Sequence, residues 1–177
     1  MTTPATVAEL RKALTSNDPV VVDKALLLIG KREVAELVPE VWKFLDSEDE
    51  GLRQRAVATL GTNLRVPEFR DRALTMAKAD PDPFVRASAV NAWSVGYYAS
   101  SNDRQVVGTL KDIVRNDKED GIVRVEALRG LYSVTGTPFL HVDFGRMSDL
   151  DDPDKLQQMI PWHEVDAMVD GSHGRRP

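Results

Sequence analysis

The chain has 177 residues, a mass of 19.7 kDa, no cysteine and a formal net charge of −5. The lack of cysteine excludes disulfides and thiolate chemistry, and the longest aliphatic run, residues 25–29, is too short to cross a membrane. Residues 1–140 carry 20 acidic and 19 basic side chains, which argues against non-specific nucleic-acid binding, and residues 141–177 carry a net charge of −4. We expect one cytoplasmic domain without a secretory signal.

The first predicted unit covers about residues 5–31. Thr6 followed by Glu9 is typical of a helix N-cap, and Asp18-Pro19 is typical of a cap followed by the first residue of a second helix. We expect this second helix to end at Gly30, in a left-handed conformation.

The second unit covers about residues 34–64. Apolar residues recur at helical spacing from Leu37 to Leu45, and Pro39 interrupts them, which predicts a kink or a late helix start. A turn at residues 47–50 then leads into the second helix of this unit.

Two further units are predicted over about residues 67–98 and 103–136. In the third unit, the turn Asp80-Pro81-Asp82-Pro83 precedes a helix through Trp93, whose side chain we place in the core. In the fourth unit, the second helix is predicted to end at Gly136.

The periodicity ends after residue 136. For residues 141–177 we expect one or two short helices, broken at Pro161, that pack on the last unit as a C-terminal cap. The final residues, 171–177, are predicted to be disordered.

One pattern occurs in all four units. Relative to an alanine at position zero, an aspartate lies at −7, a branched apolar residue at −4, an arginine at −3, and apolar residues at +1 and +4. The four alanines are Ala25, Ala56, Ala89 and Ala127, with spacings of 31, 33 and 38 residues, and Val22 replaces the arginine of the first copy. Such a period, with two helical patterns per unit, predicts a stacked helical solenoid. The aspartates Asp18, Asp49, Asp82 and Asp120 are predicted to be helix N-caps.

The pattern Asp82…Val85-Arg86…Ala89 and its three relatives resembles the HEAT-repeat family, including its short bacterial forms. Pro39 also matches the proline that kinks the first helix of a family repeat. The resemblance covers about residues 5–135 and implies an all-α fold, a right-handed α-solenoid of about four helical hairpins with a C-terminal helical cap over 141–177.

The resemblance also implies a role for the arginines at position −3, which are Arg53, Arg86 and Arg124. Each is expected to reach acidic or carbonyl groups in its own unit or the next one. We therefore interpret the regularly spaced aspartates and arginines as groups that hold the stack together, rather than as a charged active centre.

In solenoids of this family the second helix of each pair lines the concave surface, so the resemblance places positions −1 and +2 there. These positions hold Lys24 and Leu27, Arg55 and Ala58, Ser88 and Asn91, and Glu126 and Arg129. Lys24, Arg55 and Arg129 would form a mildly basic stripe beside Asn91, which would suit an acidic segment of a partner protein. An ordinary solvated surface is the alternative interpretation.

Tyr97 and Tyr98 are two further candidates for partner binding, because exposed aromatic side chains often anchor interfaces. They follow the second helix of the third unit.

Catalytic and metal-binding patterns are not apparent in the sequence. There is no glycine-rich phosphate loop and no nucleophile elbow. His163-Glu164 with Asp166 has no second histidine at helical spacing, so we predict no metal, cofactor or catalytic residue.

The leading hypothesis is a non-catalytic protein–protein interaction module, such as an adaptor, scaffold, regulatory or immunity-type protein, present as a monomer or homodimer. The alternative is an enzyme, because HEAT-like folds include bacterial alkylpurine DNA glycosylases and similar repeats occur in bilin lyases. A glycosylase is expected to need a basic groove, and the near-neutral charge of the repeats argues against one.

Overall fold

The computed structural model describes residues 6–96, 104–138 and 147–168. Every regular element in these ranges is helical, which confirms the all-α prediction. The α-helices are α1 Val7–Ala13, α2 Pro19–Lys31, α3 Val38–Trp42, α4 Glu50–Val57, α5 Phe69–Ala79, α6 Pro83–Val95, α7 Arg104–Arg115, α8 Gly121–Thr135, α9 Met147–Leu150, α10 Pro153–Met159 and α11 Trp162–Ala167. Two short 3₁₀ helices flank α3, at Ala35–Leu37 and Lys43–Asp46, and α4 continues as a π-helix over Ala58–Asn63.

Helices α2, α4, α6 and α8 stack one on the next, and α1, α5 and α7 each pack against the helix that follows them in the chain. We call α2, α4, α6 and α8 the inner helices. This is the predicted α-solenoid. The four repeat alanines are at most 2% exposed, so the small residue at position zero lies where the packed helices approach closely. Trp93 is buried in the core, as predicted.

Helix N-caps follow the sequence prediction at most of the expected positions. Thr6 and Glu9 form a reciprocal capping box, and the carboxylates of Asp18, Asp49 and Asp82 accept backbone N–H groups at the starts of α2, α4 and α6.

The prediction for Asp120 was wrong. Its side chain makes no capping hydrogen bond to α8 and instead pairs with the guanidinium of Arg86. A charged partner in the preceding repeat outcompetes the backbone donors here, because ion-assisted hydrogen bonds are the stronger ones.

The helix ends give one confirmed and one wrong prediction. Gly136 ends α8 with φ 69°, the left-handed conformation expected of a C-terminal glycine. Gly30, by contrast, is buried inside α2, and Glu33 takes the left-handed position with φ 53°. Gly30 is explained by packing, since a Cβ there would lie 2.7 Å from Oδ1 of Asn63.

Pro39 occupies the first turn of α3, which confirms the late helix start.

The arginines at position −3 join successive repeats. Arg53 donates two hydrogen bonds to the Asp80 carboxylate, both at 3.0 Å, and others to the carbonyls of Ser47 and Glu48. Arg86 repeats the arrangement with Glu119 at 2.9 Å. We call these contacts the arginine ladder, and they confirm its predicted stacking role.

The C-terminal helices pack on the end of the stack. The Tyr132 hydroxyl donates to Glu164 at 2.8 Å, and Arg115 pairs with Asp166, so α11 is fixed to both α7 and α8. Helix α9 was not predicted, whereas α10 and α11 lie either side of Pro161 as expected. The predicted disordered tail lies outside the described residues, and the division at residue 140 stays a prediction.

Candidate functional site

A groove of about 560 Å³ runs across all four inner helices. Helix α2 contributes Leu27 and Lys31, and α8 contributes Ile122, Glu126 and Arg129. The remaining lining comes from the two central inner helices: Gln54, Arg55, Ala58, Thr62, Asn63, Phe84, Ala87, Ser88 and Asn91. We call this surface the inner groove.

The inner groove brings together most of the residues that the sequence placed on the working face. Seven of the eight residues at positions −1 and +2 line it: Leu27, Arg55, Ala58, Ser88, Asn91, Glu126 and Arg129. Lys24 is exposed on α2 but is not part of the lining. Lys31, seven residues further along the same helix face, lies in the groove instead. Tyr97 and Tyr98 lie outside the described residues.

The two arginines of the groove are held by carboxylates of the chain itself. Arg55 Nε lies 2.6 Å from Asp23 Oδ1, and both side chains are more than a third exposed. Arg129 pairs with Glu126, one helical turn earlier. Carboxylates of the chain therefore neutralise part of the charge of the expected basic stripe. Lys31 has no ion pair with any residue that the structure describes, so it adds an uncompensated positive charge.

Hydrogen bonds between α4 and α6 fix the polar floor of the groove. Gln54 Nε2 donates to Ser88 Oγ at 3.1 Å, and Thr62 Oγ1 donates to Asn91 Oδ1 at 3.3 Å. The Asn91 side chain thus has its carbonyl engaged, while its amide donors find no partner among the described residues. A backbone carbonyl of a bound segment could accept from them.

The π-helical segment lies in the middle of the groove and was missed by sequence reasoning. Ala58, Thr62 and Asn63 all belong to it and all line the groove. Wider π turns are rare and are frequent at functional sites. Its backbone comes very close to α6, because a Cβ at Gly61 would lie 2.3 Å from the Cβ of Ala92.

An apolar edge of the groove was also missed, although the repeat frame contains its signal. Phe84 is 47% exposed and Ile122 is half-buried, and both line the groove. Both occupy position −5, two residues after the aspartate of the repeat pattern. Position −5 of the first repeat is Val20, which is exposed as well. Position −5 is thus apolar in three of the four repeats, and the second repeat has Gly51 there.

The described residues bear on two further features, metal-binding groups and membrane-spanning helices. They hold no group of acidic, histidine or cysteine side chains arranged for a metal ion. His163 is exposed on α11, away from the groove lining. The described helices include none that is long and apolar enough to span a membrane.

A second cavity, of about 320 Å³, lies beside the arginine ladder. Its charged groups are already paired with each other, Arg53 with Asp80 and Arg72 with Asp46. This surface therefore serves the stacking of the repeats.

Comparison with known proteins agrees with the repeat pattern and the helical stack. Residues 7–94 match the family model for HEAT repeats, and the chain belongs to the HEAT-repeat family. Members of this family are generally protein-interaction scaffolds and are typically non-catalytic. No curated protein and no solved structure matches the chain significantly.

Proposed function

We propose that the chain is a non-catalytic protein-binding module that receives its partner in the inner groove. One observation carries the proposal: the same frame positions of four successive repeats meet in one continuous groove, outside the hydrophobic core. Residues at those positions lie outside the hydrophobic core, although Arg55, Ser88 and Asn91 also make polar contacts between repeats.

The chemistry of the groove favours a protein partner over a small molecule. Its lining is mixed, with cations, amides and hydroxyls beside the apolar Phe84 and Ile122, and it extends over four helices rather than enclosing a pocket. Protein interfaces likewise combine apolar contacts with hydrogen bonds and charged groups. An adaptor, regulatory or immunity-type role and a cytoplasmic location remain predictions.

Affinity capture with a matched pair of variants tests this function. Arg55→Glu/Arg129→Glu reverses two charges in the groove, and Lys43→Glu/Lys78→Glu makes the same charge change at exposed positions outside it. In a lysate of the source organism, we expect one protein to be retained by the wild type and the control but lost by the groove variant. Equal retention by both variants would contradict the proposal. Circular dichroism checks that both variants are folded.

The enzyme alternative makes different predictions. A DNA glycosylase of this family would bind duplex DNA with an affinity that falls steeply with salt. A bilin lyase would carry visible absorbance when purified from cells that make bilins. Either result would replace the binding-module proposal.

A further inference from the structure

The ion pairs of the inner groove are weak enough to be exchanged. Arg55 in α4 reaches Asp23 on the neighbouring helix α2, and the two side chains are 36% and 40% exposed. Arg129, which is 43% exposed, pairs with Glu126, which is 13% exposed, one turn earlier in α8. Helix pairs at this spacing contribute only about 0.2–0.5 kcal/mol. Solvent-exposed pairs contribute only about 0.2–1 kcal/mol, because water screens them and two long side chains must be ordered. A partner carboxylate can therefore compete with them.

We infer that the partner of the inner groove is an extended acidic protein segment, and that Asp23 and Glu126 occupy its arginines until the carboxylates of that segment replace them. This inference rests on the proposed function and names its ligand. Lys31, which has no ion pair among the described residues, supplies a third attraction at the α2 end. The positive charge of the groove matches a negative partner.

The spacing of the inner helices determines how far apart the acidic residues of the partner segment should be. Inner helices in direct contact lie about 8–10 Å apart, so Arg55 on α4 and Arg129 on α8 are separated by about two such steps. An extended chain advances about 3.3 Å per residue. Two carboxylates about five or six positions apart would then reach both arginines.

The surface between the arginines suits the rest of such a segment. Asn91 and Ser88 of α6 lie in the lining between α4 and α8 and offer polar contacts to a peptide backbone. Phe84 and Ile122 offer an apolar contact for one side chain of the segment. We therefore expect an apolar residue between the two acidic ones.

A nucleic acid would also be attracted to arginines, but the groove fits it poorly. Glu126 lies in the lining beside Arg129, and residues 1–140 as a whole carry a net charge of −1. Nucleic-acid binding draws its affinity from many neutralised phosphates, whereas this surface offers three cations and retains a carboxylate.

Peptide binding to the full chain tests the inference. The probe is a labelled peptide of about ten residues with two glutamates about six positions apart and a leucine between them. Its partner is the same peptide with both glutamates replaced by glutamine, and fluorescence anisotropy measures the affinity. We expect the glutamate peptide to bind more tightly, and its affinity to fall as salt is raised.

Removal of the internal carboxylates gives the sharper test. Asp23→Asn and Glu126→Gln should each tighten binding of the glutamate peptide by about two- to fivefold, because each removes a carboxylate that competes with the peptide for a groove arginine. Arg55→Gln should weaken it. Asp46→Asn is the matched control, since Asp46 pairs with Arg72 outside the groove, and it should leave the affinity unchanged.

Three results would overturn the inference: equal affinity for the two peptides, unchanged or weaker binding by Asp23→Asn, or displacement of the peptide by single-stranded DNA at lower concentration than by unlabelled peptide. Each would leave the capture experiment free to identify a partner of different chemistry. Failure of the capture experiment alone would instead contradict the binding-module function.

Discussion

Two arginines in the same region of the solenoid differ greatly in their surroundings. The Arg53 and Asp80 side chains are only 11% and 6% exposed, and hydrogen bonds to Asp80 raise the pKa of Arg53 above its usual value. Arg72 pairs with Asp46 at the surface. Removing one partner of a buried pair leaves the other charge without compensation, whereas an exposed pair contributes little.

Arg53→Ala should therefore lower the free energy of unfolding by about 3 kcal/mol, and Arg72→Ala by less than about 1 kcal/mol. Urea denaturation of the two variants measures both values. Similar losses for the two substitutions would show that the arginine ladder does not carry the stacking energy assigned to it.

Arg124 is the last arginine of the ladder, and it forms no ion pair with a carboxylate among the described residues. It donates to the Val114 carbonyl at 2.9 Å and lies 3.5 Å from the amide oxygen of Gln157, and burial lowers its pKa. Gln157→Glu would supply the missing charge, and we expect a gain in unfolding free energy of about 1 kcal/mol.

The neighbouring substitution Gln158→Glu controls for this gain, because it adds the same charge to α10 at an exposed position. Thermal unfolding of both variants near neutral pH makes the comparison. The gain should disappear in acid, since a carboxylate with a lowered pKa stabilises the fold above its unfolded pKa and loses this effect as the pH falls. An equal effect of both substitutions would argue against a contact with Arg124.

At the scale of the helices, the π segment of α4 depends on the glycine at its closest contact. Gly61→Ala would place a methyl group against Ala92 and should cost about 1–3 kcal/mol through overpacking. Gly108→Ala is the matched control, since nothing lies within 4 Å of a Cβ there, and it should stabilise α7 by about 0.5–1 kcal/mol. Chemical denaturation measures whether each substitution raises or lowers the free energy of unfolding. An unchanged value for Gly61→Ala would contradict the close contact between Gly61 and Ala92.

The helical hairpins were predictable because their signals are local. A capping aspartate, an N1 proline and apolar positions at helical spacing set α2 and α6 to within about two residues. The π segment was not predicted from the sequence, and its close contacts, Gly61 with Ala92 and Gly30 with Asn63, join residues of different repeats. Asp120 was misassigned for the same reason, because its partner Arg86 lies 34 residues away.

At the scale of the whole molecule, the C-terminal helices cover the last repeat. Tyr132 is fully buried beneath them, and a Cβ at Gly121 would lie 2.0 Å from the Leu150 carbonyl, so α9 meets α8 at the backbone. Loss of this cover would expose an apolar helix face, and such faces tend to self-associate.

A protein truncated to residues 1–140 should therefore form dimers or larger species, while the full chain stays smaller. Size-exclusion chromatography with light scattering compares the two masses. A well-folded monomer from the truncated chain would contradict the capping role.

The lining of the inner groove shows how much of this candidate binding surface could be predicted from the sequence. The repeat frame predicted that Arg55, Asn91 and Arg129 share one surface, because a stacked helix presents the same face in every repeat, and all three line the groove. From the sequence, Lys24 was predicted to lie on this surface and Lys31 was not. In the structure Lys31 lines the groove and Lys24 does not, because the position of the groove along α2 depends on how the helices stack. The pairing of Arg55 with Asp23 likewise joins two repeats and could not be inferred from either one.

The proposed function places partner binding in the inner groove. A photoreactive amino acid placed at Asn91, in the groove, and at Thr75, exposed on α5, tests it directly in living cells of the source organism. We predict a protein adduct from position 91 that is lost when Arg55→Glu is added, and no matching adduct from position 75. An adduct formed only from position 75 would place the interaction surface elsewhere and contradict the proposed function.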